Sequence, residues 1–216
     1  MRHKGIIFDL DGTLVNSIED LADSMNYVLA QNNFGTYNTN TYKQFVGTGI
    51  RNLVIKALPN GHKDEQTVNK CFKMMLETYS QNCTNKTKPY EGITQMLNEL
   101  TNRKIKMAIL SNKADKLAQR VAKEILSKWH FETVIGFTDE ESRKPNPKST
   151  LQIVNELNLP KPEILYLGDS GTDMQTANNA GLYAIGALWG FRSEEELVLN
   201  GAKHLLKHPM ELLDII

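Results

Sequence analysis

Four short, nearly unbroken apolar runs punctuate the chain: Gly5-Ile-Ile-Phe8, Ile105-Lys-Met-Ala-Ile-Leu110, Ile164-Leu-Tyr-Leu167 and Leu182-Tyr-Ala-Ile185. Each has the length of a strand, and hydrophobicity without alternation marks strands covered on both faces. Stripes at helical spacing lie between the later runs. Leu117, Ala118, Val121, Ala122 and Ile125 make one, and Leu151, Ile153, Val154 and Leu157 make another. Strand alternating with helix predicts a parallel sheet with right-handed crossovers.

The first strand breaks this rhythm, because the pattern from there to Ile105 is helical only. Ser17-Ile-Glu-Asp20 reads as a capping-box-like start, after which Ile18, Leu21, Met25, Val28 and Leu29 keep to one face. Ile50, Leu53, Val54, Ala57 and Leu58 form a second stripe, closed by Pro59-Asn60-Gly61. Val68, Cys71, Phe72, Met75, Leu76 and Tyr79 form a third. A polar stretch, Gln81 to Lys88, then leads into Pro89-Tyr90-Glu91-Gly92 and reads as a return linker. The expected fold is therefore α/β: a Rossmann-like doubly wound parallel sheet formed by residues 1–15 and 86–216, carrying a small inserted α-helical domain over 16–85.

Composition narrows the function by exclusion. With 40% hydrophobic and 23% charged residues, the chain is an ordinary globular protein. Acidic and basic residues balance at 25 each, so bulk charge gives no reason to expect nucleic acid or an anionic membrane as partner. The opening MRHKGIIFDLDG is too short in its apolar part for a signal peptide or membrane span, and a cytoplasmic location is the default expectation. Cys71 and Cys83 show no metal-ligand spacing. Monomer and homodimer both remain open.

The candidate chemistry sits where strands end. The first run leads into Asp9-Leu-Asp-Gly-Thr13, the second into Ser111-Asn112-Lys113, and the third into Gly168-Asp-Ser-Gly-Thr-Asp173. The carboxyl ends of neighbouring strands in an open parallel sheet share one crevice, so these clusters should converge. Each has a plainer reading. Asp9-Leu-Asp-Gly suits a turn, Ser111 a helix cap, Lys144 an exposed loop, and Asp169 and Asp173 a turn and a cap. Gathered together, Asp9, Asp11, Asp169 and Asp173 would face Lys144 alone, a repulsion that a divalent cation such as Mg²⁺ would relieve.

Taken in order, Asp9-Leu-Asp-Gly-Thr13, Ser111, Lys144 within Arg143-Lys-Pro-Asn-Pro147, and Gly168 to Asp173 resemble the four motifs of the haloacid dehalogenase superfamily. The helical insert resembles that family's small cap. Phe45-Val-Gly-Thr-Gly-Ile-Arg-Asn-Leu-Val54 and the chain length are most similar to its phosphoglycolate phosphatases. The resemblance implies hydrolysis of a small phosphate ester with Mg²⁺, through an aspartyl-phosphate. Asp9 would be the nucleophile, Asp11 the acid and base, and Ser111 and Lys144 the stabilising groups. It further implies a metal held by the Asp9 and Asp169 side chains and the Asp11 carbonyl, with Asp173 in support. Gly12, Thr13 and Asn112 are candidates for phosphate binding. Thr48, Gly49 and Arg51 in the cap are candidates for reading a substrate carboxylate. A phosphosugar mutase, or a phosphatase of pyrophosphate, hexose phosphates or nucleotides, is the alternative.

Overall fold

A computed structural model describes residues 3–216, which divide into two compact units. One is made of the chain up to Asn16 together with Pro89–Ile216; the other is Ser17–Lys88. Among the described residues no helix is long and apolar enough to cross a membrane.

The larger unit is built on a six-stranded sheet: β1 (Gly5–Phe8), β2 (Lys106–Ala114), β3 (Thr133–Phe137), β4 (Ile164–Gly168), β5 (Tyr183–Ala187) and β6 (His204–Leu206). Its order is β3-β2-β1-β4-β5-β6 and every pairing is parallel, the doubly wound topology expected. Ile6, Ile7 and Phe8 of β1 and Ile164 to Leu167 of β4 have no exposed surface, which explains why these runs lack alternation. The flanking β3 and β6 are less buried and were not apparent as apolar runs.

The remaining helices of this unit are α5 (Ile93–Asn102), α6 (Asp115–Ile125), α7 (Lys148–Leu157), α8 (Gly171–Ala180) and α9 (Glu194–Leu199), once the insert has supplied α1 to α4. In α6 the stripe Leu117, Ala118, Val121 and Ala122 is buried, and in α7 Ile153, Val154 and Leu157. In this strand order the connections leave in opposite directions from between β1 and β4. That reversal opens a crevice at the strands' carboxyl ends.

The smaller unit holds α1 (Ile18–Gln31), α2 (Thr39–Phe45), α3 (Ile50–Ala57) and α4 (Glu65–Asn82). Its core is the inward face of the three expected stripes, with Met25, Val28, Leu29, Val54, Cys71, Met75 and Tyr79 fully buried. The capping box expected at Ser17 does not form. Ser17 is the N-cap of α1 without a side-chain cap bond. Asp20, 2% exposed, instead accepts from the Lys86 N–H at 3.0 Å, the Thr87 N–H at 2.8 Å and the Thr87 hydroxyl at 2.7 Å. Donors 66 and 67 residues away have outcompeted the local cap, and they fasten the unit's last residues to its first helix.

Candidate active site

Asp9 follows β1 directly, and its N–H donates to the Leu167 carbonyl on β4 at 2.9 Å. Asp169 follows β4, Asp173 lies in the first turn of α8, and Lys144 comes from the loop before α7. All four are buried, and carboxylate oxygens of Asp9, Asp169 and Asp173 lie within 4.8 Å of one another. The cluster sits beside the β1/β4 switch point. The Lys144 ammonium bridges it, 2.7 Å from Asp9 Oδ1, 2.6 Å from Asp173 Oδ1 and 3.2 Å from the Leu110 carbonyl.

Burial pushes Asp9 well above the usual carboxylate range; Asp173 and Asp169 add to the rise, and Lys144 opposes it. Asp169 is pushed up to about 7 by burial and then by Asp173, against the Phe191 N–H, Arg192 and Lys144. Burial works against the Lys144 ammonium, but Asp173 and Asp9 outweigh it and hold the group well above the ordinary lysine range. The three acids cannot all be comfortable as anions beside one cation.

Asp173 is satisfied within the protein. Besides Lys144 it accepts from the Tyr166 hydroxyl at 3.3 Å and from the Ser170 N–H and hydroxyl at 3.1 and 2.5 Å, in a capping box that opens α8. Asp169 is held by the Thr13 hydroxyl at 3.3 Å and the Phe191 N–H at 2.7 Å. Gly12 and Gly190 close in on it. A β-carbon on Gly12, whose φ is +98°, would fall 2.3 Å from Asp169 Oδ2, and one on Gly190 2.2 Å from its Cβ. Side chains at either position would displace the carboxylate.

The Gly12 N–H, a candidate phosphate donor, is given to the Val15 carbonyl at 2.9 Å. The Thr13 hydroxyl donates to Asp169 Oδ1 at 3.3 Å. Ser111 does not cap a helix, because β2 runs on to Ala114 and α6 starts at Asp115. Its hydroxyl oxygen accepts from the Lys113 N–H at 3.2 Å. The Asn112 side chain clamps the Lys144 backbone, accepting its N–H at 2.9 Å and donating to its carbonyl at 3.3 Å.

Asp11 stands apart from the three-acid cluster. Its carboxylate meets the Lys113 ammonium, at 3.0 and 3.1 Å from the two oxygens. Lys144 is thus not the only counter-charge, since Asp11 is paired with Lys113. Four carboxylates against two ammonium groups leave two negative charges, the complement of one divalent ion. Arg192, which also acts on Asp169, is itself matched by Glu196 at 3.4 Å. An all-oxygen donor set with this surplus fits a hard divalent cation.

Several contributors carry little sequence signal. The segment Trp189-Gly-Phe-Arg192 supplies the Phe191 N–H to Asp169 and a Trp189 indole bond of 2.9 Å to the Thr13 carbonyl. Tyr90 is pushed up by burial and then by Asp169, Asp11 and Asp9, which places its phenol in the field of these acids.

The residues expected to read a substrate carboxylate are committed within their own unit. Arg51 donates to Asn69 Oδ1 at 2.7 Å and Glu65 Oε1 at 2.8 Å, and lies 5.8 Å from the Phe72 ring centre. Its guanidinium fork is therefore occupied by α4. Gly49 caps α3, with a φ of +92° that suits glycine, while the Thr48 carbonyl accepts from the Asn52 amide at 3.0 Å.

Comparisons with known proteins agree with this geometry. A family model for haloacid dehalogenase-like hydrolases matches residues 6–187. The phosphoglycolate phosphatase of Aquifex aeolicus is 28% identical over 186 residues, covering 86% of this chain and 85% of the relative. That of Chromobacterium violaceum is 27% identical over 216 residues, covering 99% and 96%. A solved structure from Lactobacillus delbrueckii subsp. bulgaricus superposes with a TM-score of 0.92 at 27% identity, covering 100% of this chain and 99% of that one.

Proposed function

This chain belongs to the haloacid dehalogenase-like hydrolases and is a phosphatase, and from that premise we propose that it is a Mg²⁺-dependent phosphomonoesterase acting on 2-phosphoglycolate through an aspartyl-phosphate. The observation that carries the reading is the buried convergence of Asp9, Asp169 and Asp173 on Lys144 at the ends of β1 and β4. The substrate follows the names of the relatives.

An Asp9 oxygen attacks phosphorus as the bond from phosphorus to the alkyl oxygen breaks, with Asp11, in its protonated form, giving that oxygen its proton. Water then attacks the phosphorus of the acyl phosphate, Asp11 takes the water's proton, and inorganic phosphate leaves with Asp9 restored. Lys144 lowers the cost of charge on Asp9 and on the phosphoryl group, and Asp173 with Asn112 holds Lys144 in place. Ser111, which is buried, would donate its hydroxyl to a phosphoryl oxygen. The Asp9 and Asp169 side chains and the Asp11 carbonyl would hold Mg²⁺. When bound, the ion supplies positive charge for the phosphoryl oxygens.

Phosphate release from a panel of phosphoglycolate, pyrophosphate, hexose phosphates and nucleotides, with Mg²⁺ and with chelator, tests the reading. Phosphoglycolate should lead and chelator should silence it. Asp9→Asn should abolish turnover while the fold persists; a fully active variant would sink the proposal.

A further inference from the structure

Lys113 reaches the pocket from the last residues of β2, and its side chain is 2% exposed against 19% for the Asp11 carboxylate it grips. The Asp11 side chain is outside the cluster of Asp9, Asp169 and Asp173, so the pocket carries two separate charged stations. One serves the phosphoryl group. The other lies where, on the reading of the reaction given above, the leaving-group oxygen must meet Asp11. An ester oxygen hydrogen-bonded to Asp11 lies within about 6 Å of the Lys113 ammonium, because that ammonium is itself only 3.0 Å from the carboxylate. An anionic group one carbon beyond the ester oxygen falls within its reach. Arg51 belongs to the other unit, where it is paired with Glu65 and Asn69.

We propose that Lys113 determines leaving-group specificity, selecting phosphate esters whose alcohol bears a carboxylate by passing from Asp11 to that carboxylate on binding. The exchange replaces one carboxylate partner with another, so a buried ammonium is never left without a counter-charge. It also clears the Asp11 oxygens for the ester oxygen at the moment of need. A neutral alcohol cannot draw Lys113 away, and Asp11 then remains occupied.

The test compares phosphoglycolate with 2-hydroxyethyl phosphate, which has a neutral hydroxyl in place of the carboxylate. The wild-type protein should prefer the first, and Lys113→Met should lower the ratio of kcat/KM values by roughly 10- to 100-fold, mainly through KM, as befits the loss of a charge-assisted contact. Lys113→Arg should restore much of that ratio. Titration calorimetry in an Asp9→Asn background, with and without Lys113→Met, should show the same narrowing in affinity. Should Lys113→Met fail to fold, Lys113→Gln takes its place in both measurements. An unchanged ratio in turnover and binding, or a wild-type protein indifferent to the carboxylate, overturns the role of Lys113. If Asp9→Asn instead retains turnover, the reaction scheme falls, while the binding comparison still judges Lys113.

Discussion

Raising the pH in the absence of divalent metal should weaken this protein, and Asp169 sets the scale. Its acid form is favoured in the folded chain, with a pKa near 7 against an ordinary value of 3.8, because burial and Asp173 oppose its charge. The folded state therefore binds more protons than the unfolded state between those limits, and stability falls as pH rises from about 4 to about 7. A rise from 3.8 to about 7 corresponds to a stabilisation on the order of 4 kcal/mol. Asp9 is raised for the same reason and adds in the same direction. The assay is urea unfolding at a series of pH values in chelator, followed by tryptophan fluorescence. Trp129 and Trp189 both belong to the sheet unit, so the signal reports on the part that holds the site. Asp169→Asn should flatten the profile, and the difference from the wild-type curve isolates the group. Millimolar Mg²⁺ should likewise remove the decline, since an ion that binds the folded carboxylates offsets their repulsion. A wild-type profile in chelator that is level or rising over this range, and parallel to that of Asp169→Asn, would refute the reasoning.

Asn112→Ala removes both bonds to the Lys144 backbone and should lower kcat by roughly 10- to 100-fold with little change in urea midpoint. Asn112→Asp should not rescue it, because the donor to the Lys144 carbonyl is lost; equal losses of kcat and stability would point to a merely structural part. Asp20→Ala leaves the buried Thr87 N–H and hydroxyl without their acceptor and should destabilise the helical unit by about 2 kcal/mol. Far-UV circular dichroism during urea unfolding checks it, and a shift worth less than about 1 kcal/mol would count against the fastening role.

What could be read in the chain depended on how local the cause was. β1 and β4 stood out because burial on both faces is written into consecutive residues. β3 escaped notice because a less buried strand of five residues, Thr133-Val-Ile-Gly-Phe137, has no such run. The parallel topology then followed from the alternation of elements, and it explains why Asp9 and Asp169, 160 positions apart, share a crevice. Side-chain partners were less accessible. Lys113 stood in plain view beside Ser111, but nothing nearby indicated a carboxylate 102 residues earlier. The Phe191 N–H left no mark at all, since a main-chain donor has no residue type. Ser17-Ile-Glu-Asp20 misled because a local pattern was overruled by distant donors of better geometry.

That knot at Asp20 has an evolutionary corollary. It is tied entirely with residues from the two ends of one contiguous stretch, so the stretch carries its own fastening. Recombination that cuts before Ser17 and after Lys88 carries the fastening along, whereas a crossover a few residues inward severs it. Exchange of the whole insert between homologues therefore preserves a fastening that piecemeal rebuilding would break.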